Sequence, residues 1–411
     1  MNTGSLAFIF ICTGLVFFMV PGLAFFYGGL GRRKNVINTM MMCVVPIAIG
    51  TLLWFAVGYS LSFGGDGDFI GNFSHLFFNK VSETTSSRGL DIPDALFAMF
   101  QMMFSIIAVA ILTGAVAGRM RFLPMVIFMV FWLLLVYYPF AHMVWDEGFL
   151  AQLGTIDFAG GDVVHITSGV TGLVLALMLG KRRNYQRLEY RPHNVPFVLL
   201  GAGILWLGWF GFNAGSALSA NSQAVHALLT THLSAAAAMF SWIVIEACFT
   251  KKVSLVGAST GLIAGLVAIT PAAGFVSTWS SIVIGFAVSP ICYAAISVLK
   301  HRLGYDDALD AFGCHGVGGI FGGLVTGIFT LPSLALDKEN VGIIYGNGHL
   351  LWVTIIAILV TVLWSAIATF VIVKGIQIFM PIRVTERAEA IGLDDSEHGE
   401  TAYPTFMGLD S

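Results

Sequence analysis

The sequence predicts an all-α, polytopic membrane protein of 11 transmembrane helices, with helices 1–5 and 6–10 forming an inverted repeat and helix 11 appended. Three observations carry this reading. The first is composition: of 411 residues, 57% are hydrophobic and only 10% charged, with a mean hydropathy of +0.86. In soluble domains about a quarter of residues carry charge. The second is a series of about eleven apolar runs long enough to cross a bilayer, which takes about 20 residues each. The third is a frame of chemistry-bearing residues that appears twice, 150 residues apart, at the start of the fifth and tenth runs.

The runs lie near 5–30, 36–63, 95–117, 123–143, 160–180, 195–213, 223–249, 254–271, 275–300, 308–330 and 348–380. Many contain glycine, and 47 glycines suit close helix–helix approach in lipid. Lys and Arg orient them. Counting connections alternately from an outside N-terminus, 17 of the 20 basic residues fall on the inner side and three (Lys80, Arg88, Lys338) on the outer. Basic residues concentrate on the cytoplasmic side of membrane proteins. The N-terminus is therefore expected outside and the C-terminus in the cytoplasm, which requires an odd number of spans. With five spans in each half, a pseudo-two-fold axis in the membrane plane relates the halves.

The repeated frame reads D-F-A-G-G-D-V-V-H-I-T-S-G-V-T-G from Asp157 and D-A-L-D-A-F-G-C-H-G-V-G-G-I-F-G from Asp307. In each, an Asp precedes a His by eight residues (Asp157 and His165; Asp307 and His315), and glycines follow the His at matching places. Ionisable groups are expensive in a bilayer, so they face the protein interior and mark a path or site. Two His in matching frames place that site at the repeat interface. Asp157, just before the fifth run, has the position and chemistry of an N-cap. Asp162 lies one turn before His165 and receives no assigned role. His232 falls mid-way along the seventh run and is read as structural, facing a subunit interface. Glu246 is expected to pair with Lys251 and Lys252, and Tyr27, Gly28 and Gly29 to serve helix packing.

The remaining features bound function. Net charge is −3, which gives no ground for a nucleic-acid partner. The five cysteines are scattered through apolar runs without metal or disulfide spacing. The first run lacks a basic n-region and a small-residue cleavage site, so it is read as the first span. The domain division is a membrane domain at 1–380 and a tail at 381–411. In the tail, Ile391, Tyr403 and Phe406 are apolar residues to be covered, and Gly392 and Gly399 are helix stops. Asp394, Asp395 and Glu397 are expected to face the basic inner loop of Arg182, Arg183, Arg187 and Arg191.

Four stretches in order resemble one family: G-L-A-F-F-Y-G-G-L at Gly22–Leu30, D-F-A-G-G-D-V-V-H-I, W-F-G-F-N-A-G-S-A at Trp209–Ala217, and F-G-C-H-G-V-G-G. Together with the span count and the tail's G-L-D-D-S-E-H-G-E-T-A-Y they resemble the ammonium transporter (Amt/Mep/Rh) family, of bacterial Amt type, over the whole chain. The resemblance implies transmembrane transport of ammonium by a homotrimer in the cell membrane, one pore per protomer. It implies an outer NH4+ site at Phe104, Trp145 and Ser216, with cation–π attraction from the rings. It implies a gate of Phe104 over Phe212, Trp209 beside the pore, and His165 and His315 as a hydrogen-bonded pair past which NH3 is conducted. Asp157 would shape the outer site without touching the cation. Asp162 departs from the small polar residue frequent at its place. The tail would be regulatory, with a PII-type signal protein as a partner at the cytoplasmic face.

Three other classes compete. An ammonium sensor of the same fold would signal through its tail, yet no output domain follows Pro381. A membrane haem or quinone enzyme needs His pairs near both faces, whereas one central pair repeats here; no enzymatic role and no cofactor are expected. A neutral-gas or urea channel fits less well, because Trp145 and Ser216 retain the cation-recruiting site.

Overall fold

The computed structural model describes residues 1–187, 190–337 and 339–403. Eleven helices carry the fold: α1 (Thr3–Leu30), α2 (Arg33–Phe63), α3 (Asp94–Val116), α4 (Phe122–Gln152), α5 (Gly161–Leu179), α6 (Val195–Gly215), α7 (Ser222–Phe249), α8 (Leu255–Ile269), α9 (Thr278–Leu303), α10 (Phe312–Phe329) and α11 (His349–Phe379). Helices satisfy every backbone N–H and C=O internally, as a bilayer demands. Ten are long and apolar enough to cross a membrane. The eighth run, expected over 254–271, is shorter: α8 has 15 residues and stops before Thr270-Pro271, since proline disfavours helix in the residue ahead of it.

The inverted repeat is visible in the packing. α1 and α6, first in each half, make the most extensive helix pair. They pack so closely that a Cβ at Gly201 would run into the backbone of Phe26. α5 and α10, fifth in each half, cross where a Cβ at Gly169 would meet the backbone of Gly316. Each half also holds the other by matching backbone bonds. The end of α3 accepts from the segment before α10 (Leu309 N to Gly114 O, 3.1 Å), and the end of α8 region accepts from the segment before α5 (Phe158 N to Pro271 O, 3.1 Å). Wide π turns fall at equivalent places: within α4 at Leu133–Tyr137 and α9 at Ala295–Leu299, and opening α5 at Gly161–Ile166 and α10 at Phe312–Gly316. α2 also carries one, Trp54–Gly58, whereas α7 runs as one regular helix.

The tail packs under the first half. α12 (Glu386–Ile391) leads into the turn Asp394–His398. Glu389 accepts from Arg183 N (2.6 Å) of the basic loop, but two of the acids expected there, Asp394 and Glu397, are engaged elsewhere. Asp394 instead accepts from Asn38 N (2.9 Å) near the start of α2, and Glu397 accepts from Phe122 N (2.8 Å) at the start of α4. Helix starts offer unpaired N–H groups, and a carboxylate caps them better than it pairs with a mobile surface cation. The Tyr403 hydroxyl lies 3.1 Å from His193 Nε2, while Ile391 stays exposed. Arg182 pairs with Asp306 rather than with the tail. Glu246 turns to Ser254, accepting from its N–H (2.7 Å) and hydroxyl (2.9 Å), instead of to Lys251 or Lys252. Phe406 and Lys338 lie outside the described residues.

Candidate functional site

Two acids set the site's frame. The Asp157 carboxylate accepts four backbone N–H groups, from Gly160 (2.9 Å), Gly161 (2.5 Å), Asp162 (2.8 Å) and Val163 (3.2 Å). It caps the π opening of α5, the local role its N-cap reading predicted. Gly160 makes the turn at φ 116°, a backbone region that glycine enters freely. Asp307 does the same for α10, accepting from Ala311 N (3.1 Å) and Phe312 N (2.8 Å). The eight-residue spacing thus means a capping acid followed by a His just inside the helix, once from each half.

The two imidazoles meet. His165 Nδ1 lies 3.3 Å from His315 Nδ1, with ring centroids 5.3 Å apart and planes 29° apart. One Nδ1 must donate and the other accept, so the pair shares a single hydrogen. Both rings are buried, and His165 Nε2 has no hydrogen-bond partner among the described residues. His165 also lies nearly parallel to Trp209 (5.4 Å, 23°) and Phe212 (6.1 Å, 25°). Trp209 is anchored by its indole N–H, which donates to Thr270 Oγ1 at 2.9 Å. The space around the pair is lined by Phe26, Ile107, Leu205, Trp209 and Phe212, and leaves about 10 Å³ for the centre of a water-sized molecule. That is about the least room one water needs. A second space of about 50 Å³ continues inward from His315 past Phe26, Tyr27, Ile263 and Thr260 to Asp310.

On the other side of Trp209 and His165, Phe212 stacks against Phe104. Their rings are 4.3 Å apart and inclined by 32°. The edge contact from Phe104 to Trp145 is 5.7 Å at 85°. Trp145 ends the last regular turn of α4, and its indole N–H donates to Asp157 O at 2.8 Å, so the α5 cap also aims this ring. The Ser216 hydroxyl donates to Phe212 O at 2.9 Å, which leaves its lone pairs to accept. Ring contacts thus join Trp145, Phe104, Phe212, Trp209, His165 and His315 in one series, with Asp157 bonded to Trp145 and Ser216 to the backbone of Phe212.

Sequence reasoning missed three supports. Thr270 holds Trp209, and Tyr27, besides packing α1, donates from its hydroxyl to Ile111 O at 2.9 Å and lines the inner space. Asp310 sits at the inner end at φ 60°. It forms an ion pair with Lys300. Thr270-Pro271 was a legible stop signal; nothing in the sequence tied it to Trp209.

A helical, multi-pass membrane protein with a buried imidazole pair at the centre of a closed apolar line, one imidazole from each inverted half, is defined by these observations. The Ammonium Transporter Family model matches residues 7–403. The chain is 46% identical over 407 residues to the ammonium transporter of Bacillus subtilis, covering 99% of this chain and 100% of that one. It is 42% identical to the ammonium transporter Amt1 of Archaeoglobus fulgidus, over 98% of this chain and 100% of that one. Among solved structures, Saccharomyces cerevisiae Mep2 superposes with a TM-score of 0.90 at 35% identity, covering 100% of this chain and 93% of that one. The chain belongs to the ammonium transporter family.

Proposed function

We propose that this protein moves ammonium nitrogen across the cell membrane, binding NH4+ outside and passing NH3 through the protomer. The observation that carries the reading is His165 Nε2, a buried polar atom that has no partner among the described residues and sits in an otherwise apolar line. An unpaired buried polar group costs about 1–3 kcal/mol. A small neutral hydrogen-bonding solute relieves that cost, whereas a bare cation in the same dry space pays several kcal/mol or more. NH4+ is held outside by the faces of Trp145 and Phe104, with the Ser216 hydroxyl accepting one hydrogen bond. It gives up its proton at the Phe104–Phe212 gate. NH3 then passes His165 and His315, and the proton crosses separately by way of the imidazole pair.

The reading extends to assembly and topology. The protein works as a homotrimer in which each protomer has its own passage. His232 supports this: it is an exposed imidazole on a membrane helix, stacked on Trp206 at 5.2 Å. An imidazole facing lipid is costly, and a subunit interface removes the cost. The N-terminus is outside and the C-terminus in the cytoplasm, from the distribution of basic residues. Residues 1–380 form the transport domain and 381–411 the regulatory tail, on whose cytoplasmic face a PII-type signal protein docks. The protein is a transporter rather than an enzyme.

A second reading, an ammonium sensor signalling through the tail, has one observation in its favour: Asp394 and Glu397 are wired directly into the starts of α2 and α4. A solved protein titled Sensor Amt Protein also superposes with a TM-score of 0.88 at 30% identity. Current recordings on proteoliposomes separate the readings. Transport predicts a sustained ammonium-dependent current or flux, with methylammonium weaker and potassium silent; binding without flux would favour the sensor.

A further inference from the structure

α5 and α11 are joined by a buried polar seam. Asp162 Oδ1 lies 3.1 Å from Thr361 Oγ1, and Thr369 Oγ1 lies 3.0 Å from Thr171 Oγ1, which also accepts from Trp132 Nε1 at 2.8 Å. Asp162, Thr171, Thr361 and Thr369 are all buried. Asp162 is the residue with no assigned role in the passage, and its carboxyl meets Thr361 of α11.

The hydrogens along this seam can be assigned. A threonine hydroxyl has one hydrogen. Thr361 spends it one turn back, on Ala357 O at 2.7 Å. With that hydrogen directed to Ala357 O, a protonated Asp162 would complete the longer contact by donating to Thr361 Oγ1. The surroundings agree. Asp157 is the neighbouring acid, bonded to Asp162 N, and its own carboxylate is filled by four N–H groups and so carries the charge. Among the described residues, none of the ion pairs includes Asp162. A second negative charge beside the first, dry and without a cation, is the arrangement proteins avoid.

We propose that Asp162 is a neutral carboxylic acid that donates to Thr361, and that this bond positions His165. The acid lies in the same π turn as His165, three residues ahead of it. Asp157 fixes the start of that turn from one side, and Asp162 fixes it from the other against α11. Asp162 is a positioning residue, acting through the backbone of α5. It is also a departure from the small polar residue that the resemblance leads one to expect.

Infrared difference spectra of purified wild-type protein and Asp162→Asn test the protonation state. A protonated carboxyl C=O band present in wild type and lost in Asp162→Asn is expected; no such lost band would overturn the proposal. Transport in proteoliposomes tests the positioning, and this arm rests on the passage reading above. Asparagine can donate to Thr361, so Asp162→Asn should keep ammonium-over-potassium selectivity. Asp162→Leu, which removes the donor, and Thr361→Val, which leaves the buried acid unpaired, should each lower it about tenfold. Wild-type selectivity in Thr361→Val, or a fall in Asp162→Asn as deep as in Asp162→Leu, would overturn it. If Asp162→Leu fails to insert, Thr361→Val and Asp162→Asn decide between them. Failure of the passage reading looks different: His165 and His315 variants would transport normally while the infrared result stood.

Discussion

Replacing Trp145 by Leu should weaken capture of NH4+ without closing the passage. Leucine keeps bulk beside Phe104 but loses the ring's negative face and the indole N–H that donates to Asp157 O at 2.8 Å. A cation–π contact is worth about 0.5–1 kcal/mol when exposed and about 2 when desolvated. Trp145 is half-buried, with its edge contact to Phe104 at 5.7 Å, so the loss falls between these limits. At about 1.4 kcal/mol per factor of ten, a loss of about 1–2 kcal/mol raises the half-saturation concentration about 5- to 30-fold. Initial rates on proteoliposomes over a range of ammonium concentrations measure it, and the deficit should shrink as the concentration rises. Trp145→Phe, which keeps a ring face, should recover part of it. An unchanged half-saturation concentration in Trp145→Leu would refute cation–π capture at this ring.

Other consequences can be measured on the same preparations. Asp394→Ala and Glu397→Ala each remove a helix cap, worth about 0.5–2 kcal/mol, and should lower thermal stability by additive steps while the protein still inserts. Truncation from Leu393 should lower transport or uncouple it from inhibition by an added PII-type protein; full, normally inhibited transport would show that the tail regulates nothing. Burial alone would raise the Asp306 carboxyl, but the Arg182 guanidinium, bonded to it through Nη2 at 2.7 Å and through Nε, holds it below the usual carboxylate range. A lowered acid contributes stability above its unfolded value, about 4, and loses it as the pH falls further through the folded value. Asp306→Asn should cost about 3 kcal/mol at neutral pH and flatten the acid limb of a thermal-stability profile; a profile identical to wild type would contradict the pair's role.

Much of this was legible because lipid makes polar residues conspicuous. His165 and His315 stood out through their repeated frame, and the frame's acids proved to be caps of one type. The helix count followed from hydropathy, except that the eighth run read through Thr270-Pro271 into a turn. Other features had no sequence signal. A π turn changes the number of residues per turn without changing composition, so the openings of α5 and α10 were invisible. The stacking of Phe104 on Phe212 joins residues on different helices; only the resemblance suggested it. Asp394 and Glu397 of the tail were matched to basic residues by charge, whereas they accept from backbone N–H groups at helix starts. Backbone N–H groups are donors that a side-chain inventory omits.

The central claim is that His165 and His315 form the polar step in an otherwise apolar passage. His165→Ala and His315→Ala, reconstituted separately and compared with wild type for ammonium and potassium currents, test it most directly. Each variant should insert and fold yet lose ammonium transport or its selectivity over potassium. Wild-type, ammonium-selective current in both would contradict the account.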